Sequence, residues 1–541
     1  MLVLLLALAA VLSGSAAGRP TAHTRVIAQV PPSPREADTW CPLCEQLVVT
    51  GLDELPANNT VAELEQLLSS VCDVVGGNST TAGRLCDEAV ATAVTSLAAF
   101  DVSSAAKYTA TDLCQLMDLC AFSCCSTPTA PEQIHLALTT EASEMRVTWA
   151  TFKKVESVVN YGTDASFGAS VAGTAVEYSA AGWRGYVHTA VMTGLQPGTK
   201  YYYQVGDPEA QNLWRKCSWS YPPLFFTQPL SGAAATAATV NVAFVGDMGA
   251  TDASDATILR LGELRTAGKL DAVAHIGDIS YADGVQRLQA AFLRKIESVS
   301  AYVPYMTAPG NHEGFFAFVP YTSFYPMPYN NVSAYPVDHG GQDTPRMFYS
   351  YNMGPVHVVV VSTEAAFGLL PADIRPGTVQ YQFLHDDLVA ASLPAARAQQ
   401  PWIVVMMHRP MRCCNTRHDC NKPATSLRED LGALFDAHNV DLVVAGHVHS
   451  YESTWPVSTS AETNHEMHNA AYPVYVLNGA SGTKELLMNG FPSDPPAWSR
   501  SREPDVFGFS VMTANATSLR WQFVNDESGD VLDDWVLTKD V

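Results

Sequence analysis

The segment Val240-Asn-Val-Ala-Phe-Val-Gly-Asp-Met-Gly249 decides the fold of this chain. It is a short, mostly apolar run that ends in Gly-Asp. Similar apolar runs follow at Leu270–Ile276, Tyr302–Thr307, Val356–Val361, Trp402–Met407 and Val440–Ala445. Apolar runs of this length, alternating with helix-length segments, are typical of buried strands in an α/β sheet. We therefore predict an α/β domain over residues 238–541.

Five of the six predicted strands end in residue types that bind metals. The motifs are Gly246-Asp247-Met248-Gly249, Gly277-Asp278-Ile279-Ser280-Tyr281, Gly310-Asn311-His312-Glu313, Met407-His408-Arg409 and Gly446-His447-Val448-His449. Ligands collect at the carboxyl ends of strands in α/β sheets, and glycine lets the backbone turn sharply and approach a metal. Each motif alone is common in turns and cores, whereas five in order indicate a two-metal site.

The order of these motifs resembles the metallophosphoesterases. Tyr281, three residues after Asp278, makes the chain resemble the purple acid phosphatases in particular. Val159–Gly162, Gly182–Gly185 and the end of the chain from Phe507 are also similar to that family, so the resemblance covers about residues 130–541. It implies a metallophosphoesterase sandwich core, with the family's C-terminal segment included in the α/β domain.

The resemblance further implies two sets of metal ligands that share one aspartate. Fe(III) would be bound by Asp247, Asp278, Tyr281 and His449. The divalent ion, which would be Fe, Zn or Mn, would be bound by Asp278, Asn311, His408 and His447. Phenolate and carboxylate groups suit Fe(III), whereas two imidazoles and an amide suit a borderline divalent ion.

The reaction implied by the resemblance is hydrolysis of phosphate monoesters through a metal-bound hydroxide. His312 would protonate the leaving alkoxide, and Glu313 or the substrate phosphate would keep its imidazole protonated. We expect His418 either to contact the phosphate or to be a loop histidine fixed by disulfides. Arg409 and Arg412 would steer anions or lie exposed at the surface.

Residues 130–230 predict an all-β domain, because apolar and polar residues alternate along their runs. Met145, Val147 and Trp149 point to one side of such a strand. The segment Leu195–Tyr201 resembles the tyrosine corner of a fibronectin III-like sandwich, in which a phenol bonds to nearby backbone. We assign this domain a structural role.

Residues 1–17 predict a signal peptide, because an uncharged apolar run too short to span a bilayer is followed by small residues. A secretory route would make the four N-x-Ser/Thr sequons available for glycosylation. Their asparagines are Asn58, Asn78, Asn331 and Asn515. We predict a secreted or lysosomal/vacuolar glycoprotein that is soluble once processed.

Cysteines cluster between residues 41 and 125, which favours disulfides in an oxidising compartment. The cysteine spacing and helical periodicity of residues 38–127 resemble an all-α saposin B-type domain. That resemblance implies the nested pairs Cys41–Cys120, Cys44–Cys114 and Cys72–Cys86. Such a domain would contact lipid or a membrane surface, or would only shield or position the next domain. Partners stay open for Cys124, Cys125, Cys217, Cys413, Cys414 and Cys420.

The composition makes one class of partner unfavourable, and three possible functions remain. The formal net charge of −23 makes nucleic acid an unfavourable partner, and 47% hydrophobic residues suit large buried cores. The leading prediction is an acid phosphatase that acts on small phosphate esters. The saposin-like segment leaves open a phospholipid phosphodiesterase similar to acid sphingomyelinase, or a non-catalytic lipid-binding protein. The complete set of metal-binding motifs favours the phosphatase.

Overall fold

The structure is a computed structural model that describes residues 128–180, 183–207, 220, 223–231, 238–328, 347–364 and 374–540. The chain divides into two compact units, and all described residues lie in the second, which starts at residue 127. They form a β-rich N-terminal domain and an α/β domain. The predicted signal peptide and saposin-like segment lie outside the described residues.

The N-terminal domain consists of two four-stranded antiparallel sheets with the orders β1-β2-β6-β5 and β4-β3-β7-β8. Its strands are β1 Glu132–Ala137, β2 Met145–Thr151, β3 Val158–Gly162, β4 Ala169–Ala172, β5 Thr174–Ala180, β6 Trp183–Met192, β7 Lys200–Gly206 and β8 Leu224–Thr227. Met145, Val147 and Trp149 are fully buried in one apolar cluster with Val159 and Tyr203 of the second sheet, as the alternation predicts.

The predicted tyrosine corner is present in this domain. The backbone N–H of Gln196 donates a hydrogen bond to the Tyr201 hydroxyl at 2.9 Å, and the Tyr201 ring stacks on Phe226 of β8. The phenol therefore ties the turn before β7 to the sheet that follows it, which is the role of this motif in β-sandwiches.

The α/β domain contains a six-stranded and a seven-stranded sheet, with the orders β11-β10-β9-β19-β20-β21 and β12-β13-β14-β15-β17-β16-β18. The first strands are β9 Val240–Val245, β10 Ala272–Ile276, β11 Tyr305–Ala308, β12 Tyr349–Met353, β13 Val356–Val360, β14 Trp402–Met406 and β15 Leu442–Ala445. The last are β16 Tyr451–Thr454, β17 Val474–Asn478, β18 Ser499–Glu503, β19 Gly508–Ala514, β20 Ser518–Asn525 and β21 Val531–Thr538.

All six predicted buried strands are confirmed. Strand β9 has the predicted bounds, whereas β11 begins three residues later than expected. The reason is that the backbone N–H of Tyr302 still bonds to the carbonyl of Val299, so the preceding helical turn takes up the residues before Pro304.

Alternation along the central strands shows how the two sheets stack. Val358 and Val404 belong to the large apolar cluster that also contains Phe244 of the other sheet. Their neighbours Val359 and Val405 belong instead to a second cluster with helical residues. Because successive side chains of a strand point to opposite faces, the sheets meet on one face and helices cover the other.

The helices of the described residues are α1 Ser254–Thr266, α2 Gln286–Ser300, α3 Val319–Phe324, α4 Val379–Ala391, α5 Pro394–Arg397 and α6 Lys422–Ala437. Helices α1 and α2 join the parallel strands β9, β10 and β11, and α6 joins the parallel strands β14 and β15. Among the described helices, none combines the length and the apolarity that crossing a membrane requires.

The C-terminal strands complete the six-stranded sheet. Strand β19 pairs antiparallel with β9, and β20 and β21 extend the sheet from there. As a result, β9 lies in the middle of its sheet, and the loop after it is surrounded by protein. The loops after β9, β10, β11, β14 and β15 carry the residues predicted to bind metal.

Candidate metal centre

The loops that carry the predicted ligands have an unusual backbone. Asp247, Asp278, Tyr281 and His447 all have positive φ angles, between +49° and +72°. Non-glycine residues seldom adopt this conformation, and such strain concentrates at functional sites. The sharp turns aim side chains from the ends of parallel strands into one place.

Glycines next to these residues provide space for the ligand side chains. A Cβ atom on Gly310 would lie 2.2 Å from Asp278 Oδ1, and one on Gly277 would lie 2.5 Å from His408 Nδ1. Contacts this short do not occur, so both positions require glycine. The sequence predicted that these glycines let the backbone approach a metal. The contacts show that they also leave room for the neighbouring side chains proposed as ligands.

The three side chains proposed to bind only Fe(III) form one tight buried group. The Tyr281 hydroxyl lies 2.9 Å from His449 Nε2 and donates to Asp247 Oδ1 at 3.2 Å. His449 Nε2 lies 3.4 Å from the same Asp247 oxygen. A phenol, a carboxylate and an imidazole therefore converge with their donor atoms within coordinating reach of a common point.

The residues proposed for the divalent ion form a second group. His408 Nε2 lies 3.2 Å from Asp278 Oδ2 and 3.2 Å from Asn311 Oδ1. Asp278, His408 and His447 each offer a ligand atom, and these atoms all lie within 4.8 Å of one another. The two groups are connected, because the His447 backbone N–H donates to Asp247 Oδ2 at 2.8 Å.

Two of the histidines are oriented by backbone carbonyls. His408 Nδ1 lies 2.9 Å from the carbonyl oxygen of Ile276, and His449 Nδ1 lies 3.4 Å from that of Leu486. With Nδ1 directed at a carbonyl, Nε2 of each ring points into the candidate site. Outer hydrogen bonds of this kind hold histidine ligands in metalloproteins.

The electrostatics of the group favour a cation. Burial would lower the pKa of His408, but the carboxylate of Asp278 outweighs burial and raises that pKa to about 10. Burial also opposes protonation of His449, yet its bond to Asp247 raises its pKa overall. These shifts show that the buried carboxylates attract positive charge, as metal ligands do.

An arginine lies against the donor atoms of the second group. Arg409 Nη1 lies 2.8 Å from His447 Nε2, and Arg409 donates to Asn311 Oδ1 at 3.4 Å, while buried Glu364 accepts from its Nε at 3.0 Å. The expectation of an exposed surface arginine is wrong here, because the paired carboxylate holds the guanidinium inside. A cationic group thus already contacts two of the proposed ligands, which supports the fit of this donor set to a metal ion.

Arg412 is also buried rather than exposed. It donates to the carbonyl oxygen of Ser458 at 2.7 Å, and its guanidinium lies over Trp498. These contacts hold the guanidinium of Arg412 in the interior, so Arg412 is not available to steer anions.

His312 lies beside both groups. Its Nδ1 bonds to Asp283 Oδ1, and its Nε2 lies 3.8 Å from Asp278 Oδ2 and 3.7 Å from Glu485 Oε1. Burial lowers the pKa of His312, but Asp278 and Asp283 outweigh burial and raise it. Asp283 was missed in the sequence, although it stands only two residues after Tyr281.

The charge of Glu313 adds to the raised pKa of His312, as expected, but less than those of Asp278 and Asp283, and Glu313 has a second role as well. Its carboxylate accepts hydrogen bonds from the backbone N–H groups of Asp278, Ile279 and Gly310, at 2.9, 2.9 and 2.8 Å. Glu313 therefore fastens the loop after β10 to the loop after β11, and Asp283 is the direct partner of His312.

The loop that carries His418 brings a different residue to the centre. His418 is exposed, whereas Asp419 Oδ1 lies 3.3 Å from His447 Nε2 and 3.4 Å from Arg409 Nη1. The hydrogen bond with His447 lowers the pKa of Asp419 to about 2. A disulfide between Cys413 and Cys420 closes this loop, which is the sequence signal that could have pointed to Asp419.

Two facing sheets, with candidate nitrogen and oxygen ligands after their strands, are the arrangement of a metallophosphoesterase. Residues 240–451 match the family described as "Calcineurin-like phosphoesterase". Residues 131–225 match "Purple acid Phosphatase, N-terminal domain", and residues 472–534 match "Iron/zinc purple acid phosphatase-like protein C".

Relatives of known name identify the family more narrowly. "Acid phosphatase type 7" of Danio rerio is 32% identical over 76% of this chain and 92% of its own length. "Probable inactive purple acid phosphatase 1" of Arabidopsis thaliana is 30% identical over 76% of this chain and 70% of its own. The chain belongs to the purple acid phosphatase family.

A solved structure agrees with this assignment. Purple acid phosphatase PPD1 from yellow lupin seeds is 26% identical, with a TM-score of 0.65, and the match covers 77% of this chain and 75% of that protein. The family uses a dinuclear centre of Fe(III) and a divalent metal. Because two Arabidopsis thaliana relatives carry the word "inactive" in their names, the ligand set of this chain matters for its activity.

Proposed function

We propose that this chain is an acid phosphatase that hydrolyses phosphate monoesters at a centre of Fe(III) and divalent Fe, Zn or Mn. The observation that carries the proposal is the convergence of seven side chains from five separate loops into two connected groups. The proposed ligands are Asp247, Asp278, Tyr281, Asn311, His408, His447 and His449. We propose Asp278 as the shared ligand, since it contacts His408 of the second group and, after burial and Asp247, its charge also raises the pKa of Tyr281 in the first.

When bound, the two ions would supply a nucleophile from water at low pH and neutralise charge on the phosphate. The protein would supply the proton for the leaving oxygen from His312 Nε2, which faces the centre. Asp283, on the opposite nitrogen, would hold that ring in place and favour its protonated form. Glu313 would keep the loops of Asp278 and Asn311 in register through its three backbone hydrogen bonds.

The test of this proposal is the variant Asp278→Ala. Loss of a shared ligand should lower the metal content below two ions per chain and abolish hydrolysis of a soluble phosphate monoester. Asp505→Ala, at an exposed position, is the matched control and should keep both metals and activity. Two ions and normal turnover in Asp278→Ala would contradict the proposal.

We further propose that residues 130–230 form a fibronectin III-like domain and that 238–541 form the catalytic domain. Support for the former comes from its two sheets and its tyrosine corner. His418, exposed beside Asp419, keeps its proposed contact with substrate. Asn515 lies in the turn between β19 and β20, where a glycan would have access to solvent.

The proposals for the N-terminal part rest on the sequence. They are a signal peptide over residues 1–17, a saposin B-like domain over 38–127 with lipid contact, and a secreted or lysosomal/vacuolar location. The remaining proposed glycosylation sites and disulfides are Asn58, Asn78, Asn331, Cys41–Cys120, Cys44–Cys114 and Cys72–Cys86, all outside the described residues. Mass mapping of unreduced peptides tests these pairs, and vesicle binding with and without residues 38–127 tests the lipid contact.

A further inference from the structure

An exposed aromatic pair follows the proposed proton donor. Phe315 and Phe316, three and four residues after His312, are 49% and 55% exposed. Both rings lie over Gly284, where an added Cβ would be 3.3 Å from Phe315 and 3.2 Å from Phe316. Phe315 and His312 line the same small cavity at the edge of the centre. We call Phe315 and Phe316 the aromatic rim.

The backbone of the aromatic rim is strained. Phe316 has a φ of +53° and Phe318 a φ of +61°, a region that aromatic residues seldom occupy. The Phe318 side chain is fully buried and fixes the segment, whereas about half of Phe316 is exposed to solvent. Strained conformations that hold an apolar group in water are typical of binding sites.

The position of the rim determines which part of a substrate meets it. If His312 protonates the leaving oxygen, the group attached to that oxygen must lie on the His312 side of the phosphate. Phe315 lines a cavity together with His312 and lies against Gly284, next to Asp283, so an ester group that extends along this side of His312 reaches the aromatic rim. Leu486, which is 88% exposed, follows Glu485, whose carboxylate approaches His312 Nε2. The border of this region thus combines the apolar side chains with three charged ones, those of Asp283, Lys484 and Glu485.

We infer that the aromatic rim selects phosphate monoesters whose ester group is apolar, by burying that group next to His312. The inference rests on the proposed phosphatase function and adds a substrate class to it. Burying a phenyl-sized group between such rings should favour it by about tenfold or more over a short alkyl group.

The test compares 3-phenylpropyl phosphate with propyl phosphate, because these esters have similar leaving-group chemistry and differ in the apolar end. For the full chain with its metals, we expect kcat/KM to be at least about tenfold higher for the phenylpropyl ester. In the double variant Phe315→Ser with Phe316→Asn, the ratio of kcat/KM for the phenylpropyl ester to that for the propyl ester should fall towards 1. Asparagine is chosen because it tolerates a positive φ.

Two further variants make the test specific. Phe316→Tyr keeps the ring and should keep the ratio, and Leu259→Ser, at a 63% exposed position on α1, should leave it unchanged. If the double variant fails to fold, the ratio in Phe316→Asn alone decides. Equal kcat/KM values for the wild-type chain, or a ratio that survives loss of both rings, would overturn the inference. Turnover of neither ester would instead contradict the proposed phosphatase function.

Discussion

Glu297 is predicted to make the protein more stable in acid than at neutral pH. It lies on α2 where that helix packs against β1, and its Oε2 accepts a hydrogen bond from the Ile134 backbone N–H at 3.2 Å. Burial outweighs these hydrogen bonds and raises the pKa of Glu297 from 4.5 to about 7. Nearby Arg294 lowers this pKa only in small part and forms its ion pair with Glu132 instead, at 2.7 Å.

The sign and size of the effect follow from proton linkage. Because the folded pKa is raised, the stabilisation is complete below the unfolded value of 4.5 and is lost as the pH rises through about 7. The difference between these two pKa values corresponds to at most about 3 kcal/mol in the free energy of unfolding. We expect about 1–3 kcal/mol, because the side chain keeps some contact with water. Glu297→Gln mimics the protonated form and keeps an oxygen for Ile134. It should be more stable than wild type by that amount at pH 8 and equally stable at pH 4.5.

Chemical denaturation of the full chain at both pH values measures this difference. Glu263→Gln is the control, since Glu263 is exposed and pairs with Arg260 on α1. It should change stability by less than about 1 kcal/mol, and by the same amount at both pH values. A Glu297→Gln variant that is no more stable than wild type at pH 8 would refute the reasoning.

Three other changes have defined outcomes. His312→Ala should lower kcat by about 10²–10⁴-fold for esters with poor leaving groups, and much less for good ones, with metal content unchanged; equal losses for both would argue against proton donation. Asp419→Asn should weaken binding of the divalent metal by about 10–100-fold through His447, measured by competition with a chelator, and an unchanged affinity would exclude that role. Replacing Cys413 and Cys420 by serine should cost about 2 kcal/mol of stability and reproduce the metal defect of Asp419→Asn; intact metal affinity would show that the disulfide does not position Asp419.

Much of the fold follows from local sequence patterns. Apolar runs such as Val240–Val245 form strands because they are long enough to cross a sheet and contain no charge. The turn at Tyr201 can also be predicted from the sequence, because the Tyr201 phenol bonds to a backbone group only five residues away. The antiparallel pairing of β19 with β9 is different: it joins residues more than 260 positions apart, and no local pattern specifies it.

The candidate site likewise has some residues that local sequence patterns predict and others that they do not. The proposed ligands stand out because their motifs repeat at successive strand ends. Arg409, Asp419 and Glu313 were misjudged or missed because their roles depend on tertiary contacts between loops. Arg409, for example, is held inside by Glu364, 45 residues earlier in the chain. Such pairings become visible only when the sheets bring the loops together.

The most direct test of the account is a visible spectrum with metal analysis on purified protein, wild type and Tyr281→Phe. The account predicts two metal ions per chain, at least one of them iron, and a visible absorption band that disappears when the Tyr281 phenol is removed. Fewer than two ions in the wild type, or a band that persists in Tyr281→Phe, would contradict it.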